Sequence, residues 1–221
     1  MRLSLFDLLA PHSCCSCGEI GRIFCDYCKY DIVNDPVVRC LSCLQPVATY
    51  GAVCGHCTTH YTQGWAVGLH RDALRHAIAD YKFRSTRAAG GELAGLLSET
   101  LPIFPTDITV VPIPTVRSHI RERGFDHAAL LARRFAILRG LHYSPLLMRR
   151  HAHRQRGASR AQRAAQAASA FRCAQPLGGG RYVLVDDVCT TGATVNQAAR
   201  TLREAGADEV WVAVISREPL D

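Results

Sequence analysis

No stretch of this 221-residue chain approaches the roughly 20 consecutive apolar residues that a membrane-crossing helix needs. Residues 1–11 hold an apolar stretch broken by Asp7, with no small-residue cleavage site. No secretory signal is read there, and a cytoplasmic location is expected. No Gly-Lys-Ser/Thr occurs anywhere, which excludes a Walker loop. Aromatic residues are only 7% of the chain. In the most basic region they are Phe125, Phe135, Tyr143 and Phe171, too sparse for an evident base-stacking platform, which argues against sequence-specific reading of nucleic acid. Acidic residues are nearly missing from that region: residues 117–163 hold twelve arginines against Glu122 and Asp126. A surface so charged suits a nucleic-acid backbone bound without sequence preference, and non-specific single-strand binding stays open.

What is present divides the chain. Net charge is +7, with −1 on residues 1–60 and +8 on the remainder. Nine of eleven cysteines precede residue 58. They include four Cys-x-x-Cys pairs: Cys14/Cys17, Cys25/Cys28, Cys40/Cys43 and Cys54/Cys57. A two-residue gap lets two thiolates of one knuckle reach the same tetrahedral zinc, and a second knuckle completes the coordination. Two structural zinc ions are expected, by either sequential or interleaved pairing. The expected division is a double zinc ribbon over residues 1–60 and an α/β domain over residues 61–221. With 48% hydrophobic residues, the second part has enough apolar side chains for a core.

The most informative stretch is residues 182–194, Tyr-Val-Leu-Val-Asp-Asp-Val-Cys-Thr-Thr-Gly-Ala-Thr. Its apolar start reads as a strand buried on both faces, ending near the carboxylates of Asp186 and Asp187. Val195, Ala198, Ala199 and Leu202 then recur at helical spacing, with Gly206 placed to stop the helix. A strand, a turn and a helix in that order present backbone amides and a helix dipole to an anion. The acidic pair suits a ribose diol or a water-held magnesium ion. The ten residues Val-Asp-Asp-Val-Cys-Thr-Thr-Gly-Ala-Thr resemble the phosphoribosyl pyrophosphate motif of type I phosphoribosyltransferases.

Further strands are expected at residues 65–69, 108–111 and 211–216, and a helix with Leu74, Ala77, Ile78 and Tyr81 on one face. Lys82 and Arg84 follow that face as candidate phosphate ligands. After Val-Pro-Ile-Pro (residues 111–114) comes a cationic loop with Arg117, Arg121 and Arg123, then a helix whose inner face is read as Ala128, Leu131, Ala132, Phe135 and Leu138. Parallel strands set such loops along one sheet edge, so this cationic loop would oppose the first anion turn.

Val-Pro-Ile-Pro followed by Arg-x-x-x-Arg-x-Arg-Gly-Phe, behind several Cys-x-x-Cys pairs, is similar to the ComF (competence protein F, GntX-like) family. Gln155, Arg163 and Phe171 fall where that family carries a Gln, an Arg and a Phe. Asp126-His127 stands where it commonly has Asn-Gln. The resemblance implies a parallel sheet of the type I phosphoribosyltransferase kind behind the zinc module. It implies that Asp186 and Asp187 hold the ribose as the catalytic pair, and that Cys189, Thr190, Thr191, Gly192, Ala193 and Thr194 form the phosphate turn. Lys82, Arg117, Arg121 and Arg123 would then meet the pyrophosphate, with magnesium accompanying it. The implied role is DNA uptake in competence or use of DNA as nutrient, and relatives of this fold are often homodimers. A metabolic phosphoribosyltransferase acting on an unidentified nucleophile is the alternative, as is a non-catalytic binder.

Overall fold

The structure is a computed structural model that describes residues 13–83, 87–150 and 170–219. Among them, β1 (Gln63–Leu69), β2 (Thr109–Pro112), β3 (His142–Tyr143), β6 (Arg181–Cys189) and β7 (Glu209–Arg217) form a parallel sheet in the order β1-β7-β6-β2-β3. The hairpin strands β4 (Leu147–Arg149) and β5 (Phe171–Cys173) pair antiparallel outside it. The helices are α1 (Asp26–Asn34), α2 (Asp72–Phe83), α3 (Arg87–Thr100), α4 (Arg117–Arg123), α5 (His127–Arg139) and α6 (Ala193–Glu204).

A sheet covered on both faces needs strands that are apolar in both directions, which explains the near-continuous Val, Leu and Ile runs. Alternate residues of β6 enter different cores. Val183 and Val185 meet Leu74, Ile78 and Tyr81 of α2, Leu93 and Leu97 of α3, and Leu131 and Phe135 of α5. Leu184 meets Val195, Ala198, Ala199 and Leu202 of α6, with Leu147 and Phe171 from the hairpin. The cysteine module contributes to both cores, through Ile23 and Phe24 to the first and Leu41 and Tyr61 to the second. Side chains of the cysteine-rich segment are thus interior residues of the α/β body.

Two sequence expectations need adjustment. The strand at residues 182–185 continues through both carboxylates to Cys189, because β7 pairs with β6 along that whole length. Leu138 is not an inner residue; it is 56% exposed. The 3.6-residue period turns the inner stripe toward Ala136 and Arg139 instead. The Arg139 guanidinium donates to Ser98 Oγ and to the carbonyls of Ser98, Leu101 and Pro102, so it satisfies orphan carbonyls at the end of α3. It also lies 5.7 Å from the Phe104 ring centroid and 5.8 Å from that of Phe135. Arg84 and residues 151–169, with Gln155, Arg163 and the alanine-rich run, lie outside the described residues.

Replacing Arg139 by Ala leaves several carbonyls without their charged donor and is expected to cost about 2–3 kcal/mol in urea unfolding. Leu138→Ala, at an exposed position, should change the midpoint by no more than about 0.5 kcal/mol.

Candidate functional site

Strand β6 is longer than its neighbour. Pairing with β2 ends at Pro112 opposite Val185, while pairing with β7 continues to Cys189 opposite Arg217. Beyond Val185, β6 therefore has a partner on one side only, and Asp186 and Asp187 lie on that overhang. The chain leaves β2 toward β3 and leaves β6 toward β7, in opposite directions across the sheet. This divergence opens a crevice at the carboxyl ends of the strands. The crevice is a cavity of about 330 Å³ lined by Lys82, Thr115, His119, Arg123, His127, Arg149, both aspartates, Thr190, Gly192 and Thr194. Its apolar wall includes Ile113, Pro114, Val188 and Val195.

Asp187 is 3% exposed and heavily engaged. Its Oδ2 lies 2.9 Å from Lys82 Nζ and 3.1 Å from His127 Nε2. Arg123 Nη1 lies 3.0 Å from His127 Nδ1. A guanidinium can only donate, so the imidazole accepts from Arg123, whose Nη1 is also 3.4 Å from Nε2, and Nε2 faces Asp187 Oδ2. Arg123, His127 and Asp187 thus form a chain that ends at the carboxylate. Burial alone would raise the Asp187 carboxyl, but the His127 hydrogen bond and the Lys82 charge outweigh it and hold the group well below the usual carboxylate range. Asp186 has the opposite fate: burial first, then the Asp187 charge beside it, pushes its carboxyl up to about 8. The two adjacent carboxyls are thus shifted in opposite directions.

The turn after β6 leads into α6 through Gly192, whose φ of 79° lies in the left-handed region that glycine adopts without strain. Thr190, Gly192 and Thr194 line the cavity; Thr191 and Ala193 do not. Cys189 touches the cavity wall, but its thiol is buried, sits 4.0 Å from the Leu41 carbonyl and is pushed up to about 11, by burial above all. It is no nucleophile there. The turn carries no carboxylate that could act as a proton shuttle.

Of the four cations expected to meet the pyrophosphate, Lys82 and Arg123 reach the cavity. Arg117 lines an adjoining basin with Asp126, Met148, Arg149, Arg150 and Arg172, and Arg121 lines neither, being exposed on α4. Asp126 accepts from the Ala129 amide as N-cap of α5 and from Thr115 Oγ1. Those two bonds use its charge at the helix start, in a wall of the basin. Arg149 stands between the two hollows. It donates to the Pro114 carbonyl at 2.7 Å and stacks on Phe171 at 5.0 Å. Sequence reasoning counted Arg149 only in a basic run and His127 only as an unusual residue. Neither has a pattern of its own, because their partners arrive from distant elements.

The cysteines gather as Cys14, Cys17, Cys25 and Cys28, and as Cys40, Cys43, Cys54 and Cys57. This is sequential pairing. Cys17 Sγ to Cys25 Sγ is 3.6 Å and Cys43 Sγ to Cys54 Sγ is 3.5 Å. Sulfurs bonded to one tetrahedral zinc at about 2.3 Å stand about 3.8 Å apart, so both sets could hold zinc. Their knuckles repeat one geometry: the Cys14 amide donates to Glu19 and the Gly18 amide to Cys14, as the Cys40 amide does to Gln45 and the Leu44 amide to Cys40. His127, Asp186 and Asp187 form a third set able to approach a cation.

The phosphoribosyl transferase domain profile matches residues 93–219. Competence protein F of Haemophilus influenzae is 26% identical over 87% of this chain and 90% of its own length. The DNA utilization protein YhgH of Salmonella typhimurium is 30% identical over 84% of this chain and 86% of its own. Among solved structures, the allosteric regulatory enzyme of purine biosynthesis aligns with a TM-score of 0.45 and 20% identity, over 62% of this chain but only 29% of that one.

The carboxyl pair predicts a pH dependence of stability. The unfolded Asp186 carboxyl titrates near 3.9, so between about pH 4 and 8 the folded state keeps a proton that the unfolded state has lost. That contribution to stability declines as pH rises through this window. Asp187 acts in the opposite sense, losing its contribution only below about pH 4. In urea titrations from pH 5 to 8, Asp186→Asn should flatten the decline seen in the parent; an unchanged slope would refute the assignment.

Proposed function

The chain belongs to the phosphoribosyltransferase-domain family and within it to the ComF group, and from that membership we propose that it binds phosphoribosyl pyrophosphate with magnesium in the crevice and single-stranded DNA on the adjoining arginine basin. The observation that carries this reading is the charge order across one cavity. Asp186 and Asp187 stand on the overhang of β6, the Thr190–Gly192–Thr194 wall lies at the start of α6, and Lys82, Arg123 and Arg149 approach from other elements. A sugar bearing a phosphate at one end and a pyrophosphate at the other needs hydroxyl acceptors between two anion sites. About 330 Å³ lies at the lower end of the range for small-ligand pockets.

The residues fit a magnesium ion. Asp186 and Asp187 offer hard oxygen donors, suited to holding it directly or through water. When bound, the ion neutralises charge on the pyrophosphate. The chain's own groups do the rest. Asp187, held by Lys82 and His127, gives the ribose a fixed acceptor, and the turn orients the 5-phosphate. Lys82 and Arg123 stabilise negative charge that accumulates on the departing pyrophosphate. Two zinc ions, one in each cysteine set, are proposed as structural.

The basin favours an acidic acceptor over a free purine. Arg117, Arg149, Arg150 and Arg172 line it, and no carboxylate in the phosphate turn is placed to deprotonate a base. Relatives named for competence and DNA utilization support placing the protein in DNA uptake or consumption.

Calorimetry of the zinc-loaded chain should show phosphoribosyl pyrophosphate binding in the presence of magnesium, weakened about 10- to 100-fold by Asp187→Asn, the worth of one charged hydrogen bond. Absence of binding in the parent would remove this reading. Labelled single-stranded DNA should bind at low salt and release as salt rises. Arg150→Ala or Arg172→Ala should each lower the salt slope by about one, whereas a salt-independent affinity would exclude backbone binding.

A further inference from the structure

Arg217, the last residue of β7, is fully buried, yet among the described residues no carboxylate accepts from its guanidinium. It is bonded instead to backbone carbonyls on two segments remote in sequence. Nε donates to Leu41 at 2.7 Å and Nη2 to Ser42 at 3.0 Å, both inside the Cys40–Cys43 knuckle. Nη1 faces the carbonyls of Cys189, Thr190 and Glu218. One cation therefore joins a metal knuckle to the turn that lines the cavity.

The consequence follows from peptide planarity. In a trans peptide the C=O and the next N–H point in opposite directions. Drawing the carbonyls of Cys189 and Thr190 toward the guanidinium turns the amides of Thr190 and Thr191 away from it, and sets the direction of donors an anion would use. A second tie grips the other end of the turn. Asn196, in the first turn of α6, accepts from the His60 amide at 2.7 Å and lies 3.5 Å from the Thr58 carbonyl, just past Cys57. Between the ties, a Cβ added at Gly192 would just touch Ser42 Cα at 3.7 Å, so the knuckle backbone stands one methyl group's width from the turn. The first cysteine set contacts a different region: Ile23 and Phe24 enter the opposite core, and Lys29 pairs with Glu99 of α3 at 2.5 Å.

We propose that Arg217 is a positioning residue through which the second cysteine set orients the anion turn, so that anion binding depends on metal at Cys40, Cys43, Cys54 and Cys57 and not on metal at the first set. This rests on the phosphate reading of the turn. A buried guanidinium with carbonyl acceptors only is costly without all of them. If the knuckle unfolds, Arg217 loses the Leu41 and Ser42 carbonyls and the turn loses its reference.

The test uses the full-length zinc-loaded chain and amide hydrogen exchange, which needs no ligand. Parent, Arg217→Lys, Asn196→Ala, Cys54→Ser and Cys17→Ser are compared for exchange in peptides spanning residues 189–196, with β2 and α5 as internal references. Zinc per chain and phosphoribosyl pyrophosphate affinity with magnesium are measured on the same samples. Arg217→Lys should keep zinc in both sets, raise exchange in residues 189–196 at least tenfold with the references unchanged, and weaken binding at least tenfold. Cys54→Ser should reproduce the exchange change with loss of one zinc, and Cys17→Ser should lose one zinc without it. Should Arg217→Lys fail to fold, Asn196→Ala decides: a local exchange increase supports the tie, and unchanged exchange overturns it. Unchanged exchange in both variants, or equal effects from Cys17→Ser and Cys54→Ser, overturns the proposal. If the parent binds no phosphoribosyl pyrophosphate but the exchange pattern appears as stated, the ligand reading falls and the coupling stands.

Discussion

A parallel sheet ends its strands in a row only when neighbours have equal length, and here they do not. β6 runs past Val185 with β7 on one side and nothing from β2 on the other. Polar side chains placed earlier in β6 would sit between two helical layers, with no water and few partners. Placed on the overhang, two adjacent carboxylates reach a crevice that cationic side chains can enter. The site depends on that mismatch. It decides where the acidic pair can be tolerated, and it leaves Asp187 within reach of Lys82 from α2 and His127 from α5.

The acidic pair would be costly if both members kept full charge. Its neighbours resolve this unequally, holding Asp187 ionised and leaving Asp186 with a carboxyl raised to about 8. The asymmetry comes from contacts rather than from the residue type. Lys82 and His127 both converge on one oxygen of Asp187, while Asp186 has the Asp187 amide at 2.9 Å and only the more distant charges of Lys82 and Arg149. A ligand hydroxyl arriving here meets one acceptor and one group able to donate or accept. That combination suits a vicinal diol better than two identical carboxylates would.

Much of the fold was legible in the residues, for a physical reason. Strands buried on both faces must be apolar without alternation, so residues 182–185 and 211–216 announce themselves. So does the helix stripe Val195, Ala198, Ala199 and Leu202, all of it interior. The Cys-x-x-Cys spacing shows the knuckles but not their pairing, because the gap between knuckles constrains the chain weakly; the folded geometry joins neighbours in sequence. Long-range polar contacts were the illegible part. Leu138 fits the stripe by spacing, yet it is Arg139 that packs inward, because α3 ends with carbonyls only a donor can satisfy. Arg217 reads as an ordinary charge closing a strand until Leu41 and Ser42 come to it from 176 and 175 residues away. His127 and Arg149 are of the same kind: their roles are set by which elements the topology brings beside them.

The charge division of the chain fits this arrangement. Residues 1–60 carry −1 and the rest +8, and the positive excess is densest in the stretch that includes α4, α5 and the start of the hairpin. The proposed polyanion would thus meet the basin wall formed by Arg117, Arg149, Arg150 and Arg172 and not the cysteine module. The module is better understood by what its backbone touches than by what its surface attracts. Leu41, Ser42, Thr58 and His60 meet β6, α6 and Arg217 through main-chain groups, which substitution of their side chains leaves in place. Backbone contacts hold a turn only as firmly as the segment that presents them is held. In a segment of this length with little core of its own, metal bound by the two cysteine sets would add that firmness to the few side chains, Ile23, Phe24 and Leu41 among them, that it lends to the α/β body.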